Sequence, residues 1–217
     1  MMKYGRYTVI AAVLIGMLSG NCTEAPTESA GGGGSETQNP VVVTFNGDTI
    51  RGISLPFREV HLYSGDMLEK PGQTQGIYTA VSDCTGTFIF PDMATGLYNY
   101  HSRNDSGHSA YISRIEHNGS REDTLRAEFH PEGQIYGRVY KSFDPDTVPR
   151  PDVLVGIVGT PFSTFTDERG YYSLDDIPAG VHTLVCELDI PAAILKPRPE
   201  RIVDIPASSS VAIDILF

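Results

Sequence analysis

The strongest constraint on this chain of 217 residues is an internal repeat. The segment Asp83-Cys-Thr-Gly86-Thr-Phe88-Ile-Phe90-Pro-Asp92-Met93-Ala-Thr-Gly96-Leu-Tyr98-Asn-Tyr100 matches Asp167-Glu-Arg-Gly170-Tyr-Tyr172-Ser-Leu174-Asp-Asp176-Ile177-Pro-Ala-Gly180-Val-His182-Thr-Leu184. Every paired position lies 84 residues apart, without a gap. The four identities, Asp83/Asp167, Gly86/Gly170, Asp92/Asp176 and Gly96/Gly180, fall on turn formers, and the apolar positions between them alternate with the period of a strand. Asp-x-x-Gly predicts a turn in which the carboxylate accepts backbone N–H groups and the glycine takes a positive φ. Phe88 and Phe90, or Tyr172 and Leu174, then share a face, and Met93 or Ile177 closes the end of the core. Gly96 or Gly180 turns the chain into a strand whose inward residues are Tyr98 and Tyr100, or His182, Leu184 and Cys186. An upstream element recurs at an offset of 93, Leu55-Pro56-x-x-Glu59-Val60-x-Leu62 against Val148-Pro149-x-x-Asp152-Val153-x-Val155. The difference between the offsets places a longer loop around Gly65 to Gly76 in the first copy.

The N-terminus is not part of this pattern. Lys3 and Arg6 precede an uncharged, mostly apolar run from Tyr7 to Leu18, and no acid occurs before Glu24. A basic segment followed by so short an apolar one reads as a secretory signal, because a bilayer core needs about 20 apolar residues to be spanned. The run ends Leu18-Ser19-Gly20-Asn21-Cys22, which resembles the lipobox of bacterial lipoproteins. The resemblance implies a diacylated Cys22 as the mature N-terminus, with Asn21 departing from the usual small residue before it. Residues 23–40, TEAPTESAGGGGSETQNP, carry no large apolar side chain. Such a segment is a flexible tether with a reach of about 25 Å. In Gram-negative lipoproteins an Asp directly after the Cys is the usual inner-membrane retention signal. Thr23 stands there, so the expectation is an outer-membrane lipoprotein of the cell envelope.

The division that follows is a signal over 1–21, the anchor and tether over 22–40, one β-sandwich over 41–130 and a second over 132–217. The fold class is all-β, two tandem antiparallel sandwiches of about seven short strands each. In the second copy strands are expected near 134–140, 153–158, 162–166, 171–174, 181–188, 201–205 and 211–216. No helical period is sustained after the signal.

The second copy's Asp-x-x-Gly-x-aromatic-x-apolar-x-Asp-Ile-Pro-Ala-Gly-x-x-x-Leu resembles the carboxypeptidase regulatory-like, transthyretin-related β-sandwich module, found as tandem units in bacterial surface lipoproteins. The first copy departs from it, with Met93-Ala94-Thr95 where Ile177-Pro178-Ala179 stands. The resemblance implies an accessory role without catalytic residues. It also brings in starch-binding-like modules, to which this sandwich is structurally similar.

A scan for chemistry finds no H-E-x-x-H, G-x-S-x-G, Walker A or C-x-x-C pattern. The six histidines, at 61, 101, 108, 117, 130 and 182, show no metal-ligand spacing. Two cysteines remain after Cys22: Cys84 in the first turn, expected as an exposed free thiol, and Cys186, expected inside the other copy. An end-to-end tandem would hold them too far apart for a disulfide. The carboxylates of Asp144, Asp146 and Asp152 are expected in a solvated acidic loop rather than a calcium site. Lys141 has no Asn after Asn118 to join in the Lys-Asn crosslink of some Gram-positive surface modules. A net charge of -11 excludes a nucleic-acid backbone as partner. Tyr63, Tyr78, Tyr111, Tyr136, Tyr140, Tyr171 and the pair Phe162/Phe165 are candidates for a sugar platform, most of them expected to fill cores instead.

The sequence therefore points to a non-enzymatic membrane-anchored lipoprotein, without cofactor or metal, whose modules serve as spacer and interaction domains for a protein partner or polysaccharide. The alternatives are a carbohydrate-binding accessory protein and, further off, a small enzyme with an unrecognised site.

Overall fold

The computed structural model describes residues 40–68, 70–71, 76–119, 123–143, 146–188 and 199–216. The signal, Cys22 and most of the tether lie outside the described residues. Among the described residues every regular element is a strand, and no helix is long and apolar enough to cross a membrane.

In the first half the chain forms β1 (Val41–Asn46), β2 (Thr49–Ile53), β3 (Glu59–Ser64), β4 (Ile77–Val81), β5 (Thr87–Phe90), β6 (Gly96–Arg103), β7 (His108–His117), β8 (Asp123–Ala127) and β9 (His130–Pro131). One sheet has the order β5-β2-β1-β8, the other β4-β3-β6-β7-β9, with every pair antiparallel. Between them lies a core of Val41, Val43, Ile50, Val60, Leu62, Phe88, Phe90, Met93, Tyr98, Tyr100, Ala110, Ile115 and Phe129. The Phe88 and Tyr100 rings stack across it at 5.6 Å.

The second half contains β10 (Gly133–Phe143), β11 (Asp146–Pro149), β12 (Val153–Ile157), β13 (Ser163–Phe165), β14 (Tyr171–Ile177), β15 (Gly180–Leu188), β16 (Glu200–Ile205), β17 (Ser210–Ala212) and β18 (Ile215–Leu216). Its sheets are β11-β10-β14, with β17 and β18 also on β10, and β13-β12-β15-β16. Ile135, Val139, Val153, Val155, Ile157, Tyr172, Leu174, Ile177, Leu184, Cys186, Val203, Ile205 and Ile215 fill the core. His182 is buried beside them and bonded through Nε2 to the Pro178 carbonyl oxygen. All the residues that the repeat placed inward are thus buried.

The repeated turns form as their chemistry requires. Asp83 Oδ1 accepts from the backbone N–H of Thr85 and Thr87 at 2.8 and 2.9 Å, and Asp167 Oδ1 from Arg169 and Tyr171, both at 2.8 Å. Gly86 and Gly170 take φ of +83° and +74°. At the following corner Asp92 and Asp176 are themselves left-handed, with φ of 54° and 57°. Asn and Asp tolerate that region because their short polar side chains bond locally. Gly96 and Gly180 begin β6 and β15, as expected of the residues that turn the chain into the next strand, and of the two Gly180 has a positive φ, +136°.

The two halves share the pairings β2·β5 and β10·β14, β3·β6 and β12·β15, and β3·β4 and β12·β13. They differ in the closing strand. β17 and β18 run parallel to β10, against the antiparallel expectation. In the first half β1 stands between β2 and β8, both antiparallel to it, so β8 runs in the direction of β2 one place removed. Without an equivalent of β1, the last strands of the second half add directly to β10. Gly137 permits this approach, since a Cβ there would meet the Ile213 oxygen at 1.9 Å. The expected acidic loop is also partly corrected: Asp146–Pro149 forms β11, which pairs with Tyr140 to Phe143 and leaves its four residues exposed.

Candidate functional site

Burial along two strands shows where the halves meet. A strand with one solvated face alternates in burial, yet β6 is buried at five successive positions, Tyr98 to Ser102, and β12 throughout, Val153 to Ile157. Both must be covered on both faces. The loop after β12 and the corner between β14 and β15 stand on the outer face of β3, β6 and β7. This replaces the expected end-to-end tandem with an end-on-face packing.

The seam is held by specific contacts. Asn99 Nδ2 donates to the Gly159 carbonyl at 2.7 Å, while its Oδ1 accepts from the Arg114 N–H at 2.7 Å. Gly159 N–H donates to the Met67 carbonyl, and Leu68 bridges to Thr160. The nine extra residues of the first copy's loop thus begin at a segment that clasps the second half. Gly159 has φ +73°, and a Cβ on it would lie 2.0 Å from Asn99 Nδ2. Arg103 reaches Glu132 at 2.6 Å and Asp176 at 3.3 Å. Tyr111 packs on His182 with centroids 4.9 Å apart, and His101 on Phe162 at 5.9 Å.

At the centre of this seam the β3–β6 register sets His61 opposite His101. His101 Nδ1 lies 3.2 Å from Tyr63 OH, its Nε2 lies 3.0 Å from Ser109 Oγ, and Ser109 donates to Glu132. A Ser beside a His suggests a nucleophile and base, but the directions run the wrong way. With the Ser109 proton on Glu132, Ser109 Oγ accepts from His101 Nε2–H, which leaves Nδ1 to accept from Tyr63. A catalytic base must accept from the nucleophile. Burial, followed by the charges of His61, Arg103 and His182, pushes the His101 pKa down to about 3. At neutral pH such an imidazole takes no proton. Burial also lowers His61, against the charge of Glu59, and His182, and it raises the Glu132 carboxyl despite the Ser109 hydrogen bond and the Arg103 charge.

Beside Ser109 opens a cleft of about 530 Å³, lined by Pro40, Tyr111, Arg126, Glu128 and His130. No group of three or more His, Cys, Asp or Glu suited to a metal occurs among the described residues. Cys186 is buried and free, whereas Cys84 is disulfide-bonded, which corrects the free thiol expected there.

The sequence-selected aromatics divide. Tyr63 is buried at the seam, and Tyr111 and Phe162 are half-buried there. Tyr78 and Phe165 are exposed singly. Tyr136, Tyr140 and Tyr171 gather on the outer face of the β10–β14 sheet, because Ile135, Val139 and Tyr172 face the core and their neighbours alternate away from it. Arg138 stands among them with its guanidinium carbon 3.9 Å from the Tyr171 ring centre. Sequence spacing shows that Tyr136, Arg138 and Tyr140 alternate; only the register reveals Tyr171 opposite Arg138.

No protein-family model matches this sequence, and no curated protein matches it. Among solved structures, the chain is similar to GBS52, the minor pilin of Streptococcus agalactiae, with 13% identity, 76% of this chain and 84% of that one covered, and a TM-score of 0.39. It is similar to the Bacillus anthracis TIE protein at 11% identity and a TM-score of 0.32, over 88% of this chain and 41% of that one. A third likeness is the shaft pilin SpaA of Lactobacillus rhamnosus GG, at 11% identity and a TM-score of 0.26, over 83% of this chain and 97% of that one.

Proposed function

We propose that the protein is a non-enzymatic lipoprotein of the cell envelope, anchored through Cys22, whose two β-sandwich modules act as one joined spacer and interaction unit. The observation that carries this reading is the seam. The Ser, His and Tyr side chains that resemble a catalytic set are held there in structural hydrogen bonds within the first module, and the set ends on Glu132 at the start of the second. What the molecule offers to partners is the outside of its sheets, on a tether suited to holding them off a surface.

Anchoring is supported by the basic and apolar segment that ends at Cys22, and outer-membrane placement by Thr23. The test is membrane fractionation of Cys22→Ala, which should release the protein into the soluble fraction; unchanged partitioning refutes the anchor.

A second reading, carbohydrate binding, is favoured by one observation: the tyrosines of β10 and β14 that do not fill the core share one exposed sheet face. Retention of the protein on insoluble polysaccharides tests it, and absence of retention across a broad panel refutes it.

A further inference from the structure

We infer that the outer face of β10 and β14 is a binding platform for a polysaccharide carrying occasional uronic acid residues, with Tyr136, Tyr140 and Tyr171 stacking on sugar rings and Arg138 pairing with the carboxylate. This deepens the carbohydrate reading above and rests on it.

Tyr136 and Tyr171 are 41% and 42% exposed, which is unusual for aromatic side chains in a chain whose other tyrosines are largely used in packing. Tyr136 and Tyr140 lie four residues apart on one strand, about 13 Å at roughly 3.3 Å per residue, with Arg138 between them. The platform is therefore elongated along the strand and suits an extended polymer. The cleft of about 530 Å³ lies elsewhere, beside Ser109. Strand addition is closed to the platform, because β10 has hydrogen-bonded neighbours on both sides, β14 and β11 on one and β17 and β18 on the other. A ligand there must be read by side chains alone.

The polar groups at the end of the platform are ordered for that task. The Gln134 amide donates to Ser173 Oγ at 3.1 Å and to Asp175 Oδ1 at 2.5 Å, and Ser210 Oγ donates to Gln134 Oε1 at 3.2 Å. These supply a row of amide, hydroxyl and carboxylate groups suited to sugar hydroxyls.

Charge selects the kind of sugar. Arg138 is half-buried, lies beside the phenol groups of Tyr140 and Tyr171, and forms no ion pair among the described residues. Its guanidinium has five N–H donors, more than the Tyr140 and Tyr171 phenols beside it can take, which leaves donors for a carboxylate. The net charge of -11 at the same time repels a densely charged polyanion. One cation on an acidic protein fits an isolated carboxylate in an otherwise neutral chain.

The full-length protein in detergent is titrated calorimetrically with a neutral xylo-oligosaccharide carrying a single glucuronic acid and with the methyl ester of that acid, which keeps the rings and removes the charge. The acid form should bind at least about tenfold more tightly, the loss of one charge-assisted contact of about 1.4 kcal/mol. Arg138→Gln should abolish that difference, Tyr136→Ala and Tyr140→Ala should weaken both forms, and Tyr78→Phe, on another sheet, should change neither. Equal binding of acid and ester, or an unaltered preference in Arg138→Gln, overturns the role of Arg138 while leaving the carbohydrate reading in place. Binding of neither form, with no retention on the polysaccharide panel, overturns both. Circular dichroism of each variant separates lost binding from lost fold.

Discussion

Asn99 on β6 and Gly159 after β12 are locked together: the Asn99 amide donates to the Gly159 carbonyl at 2.7 Å, in a space that only a hydrogen atom at the Gly159 Cα leaves open. Asn99 also accepts from the Arg114 N–H, so one side chain satisfies a backbone group in each half. Removing it in Asn99→Ala should cost about 1–3 kcal/mol for each buried group left unpaired. Gly159→Ala should cost at least as much, since it adds a clash to a left-handed backbone. Urea denaturation followed by circular dichroism checks both. A single transition in wild type that splits in two in the variants identifies the seam as what couples the modules.

Fragments 41–130 and 132–217 should each be β-rich in isolation, because each contains its own core. Mixed, they should associate through the seam, and the first fragment carrying Asn99→Ala should associate more weakly. Analytical ultracentrifugation reads this directly. An unfolded fragment would mean that the two modules depend on one another for folding.

Acidification should loosen the seam. His101 has a folded pKa of about 3, below its unfolded value of 6.5, so the unfolded chain binds more protons between those limits. Stability is therefore fully present above 6.5 and is lost as pH falls toward 3, with a slope of up to about 1.4 kcal/mol per pH unit for one group. His182, lowered by the same burial, acts in the same direction. Tyr63, Ser109, Phe162 and Glu132 surround His101 or its hydrogen-bond chain, and none supplies a carboxylate directly to its ring. Denaturation midpoints across that range should fall in wild type and fall less steeply in His101→Phe, at the cost of some stability for the lost hydrogen bonds. Parallel pH profiles for the two proteins would remove His101 from this account.

The repeated turns should respond alike. Asp167→Ala deprives the N–H groups of Arg169 and Tyr171 of their acceptor and should destabilise by about 1–2 kcal/mol, as loss of a comparable backbone cap does. Gly170→Ala should be worse, because its φ is +74° and its Cβ would lie 2.7 Å from the Val139 oxygen. Thermal melts of the two variants give the order.

Cysteine chemistry tests the anchor. Membrane-extracted protein should carry a diacylglyceryl mass on its N-terminal peptide. Cys186 should stay unreactive, since burial both shields it and pushes its thiol up to about 12. An N-terminal peptide without lipid would refute the anchor.

What the sequence determined by itself is local. Turn chemistry and period-two alternation act within a few residues, so Asp83, Gly86 and their partners 84 residues on announce their turns, and Phe88, Tyr100, Leu184 and Cys186 announce their inward faces. What only the tertiary structure decided is long-range. His61 meets His101 through strand register, Tyr171 meets Arg138 in the same way, and Asn99 finds Gly159 through the docking of one module on another. No spacing in the chain encodes these meetings. Pairing register and module contact are chosen by the sum of many burial and hydrogen-bond terms across the fold, and a residue such as His101 acquires its depressed basicity only when that sum has buried it.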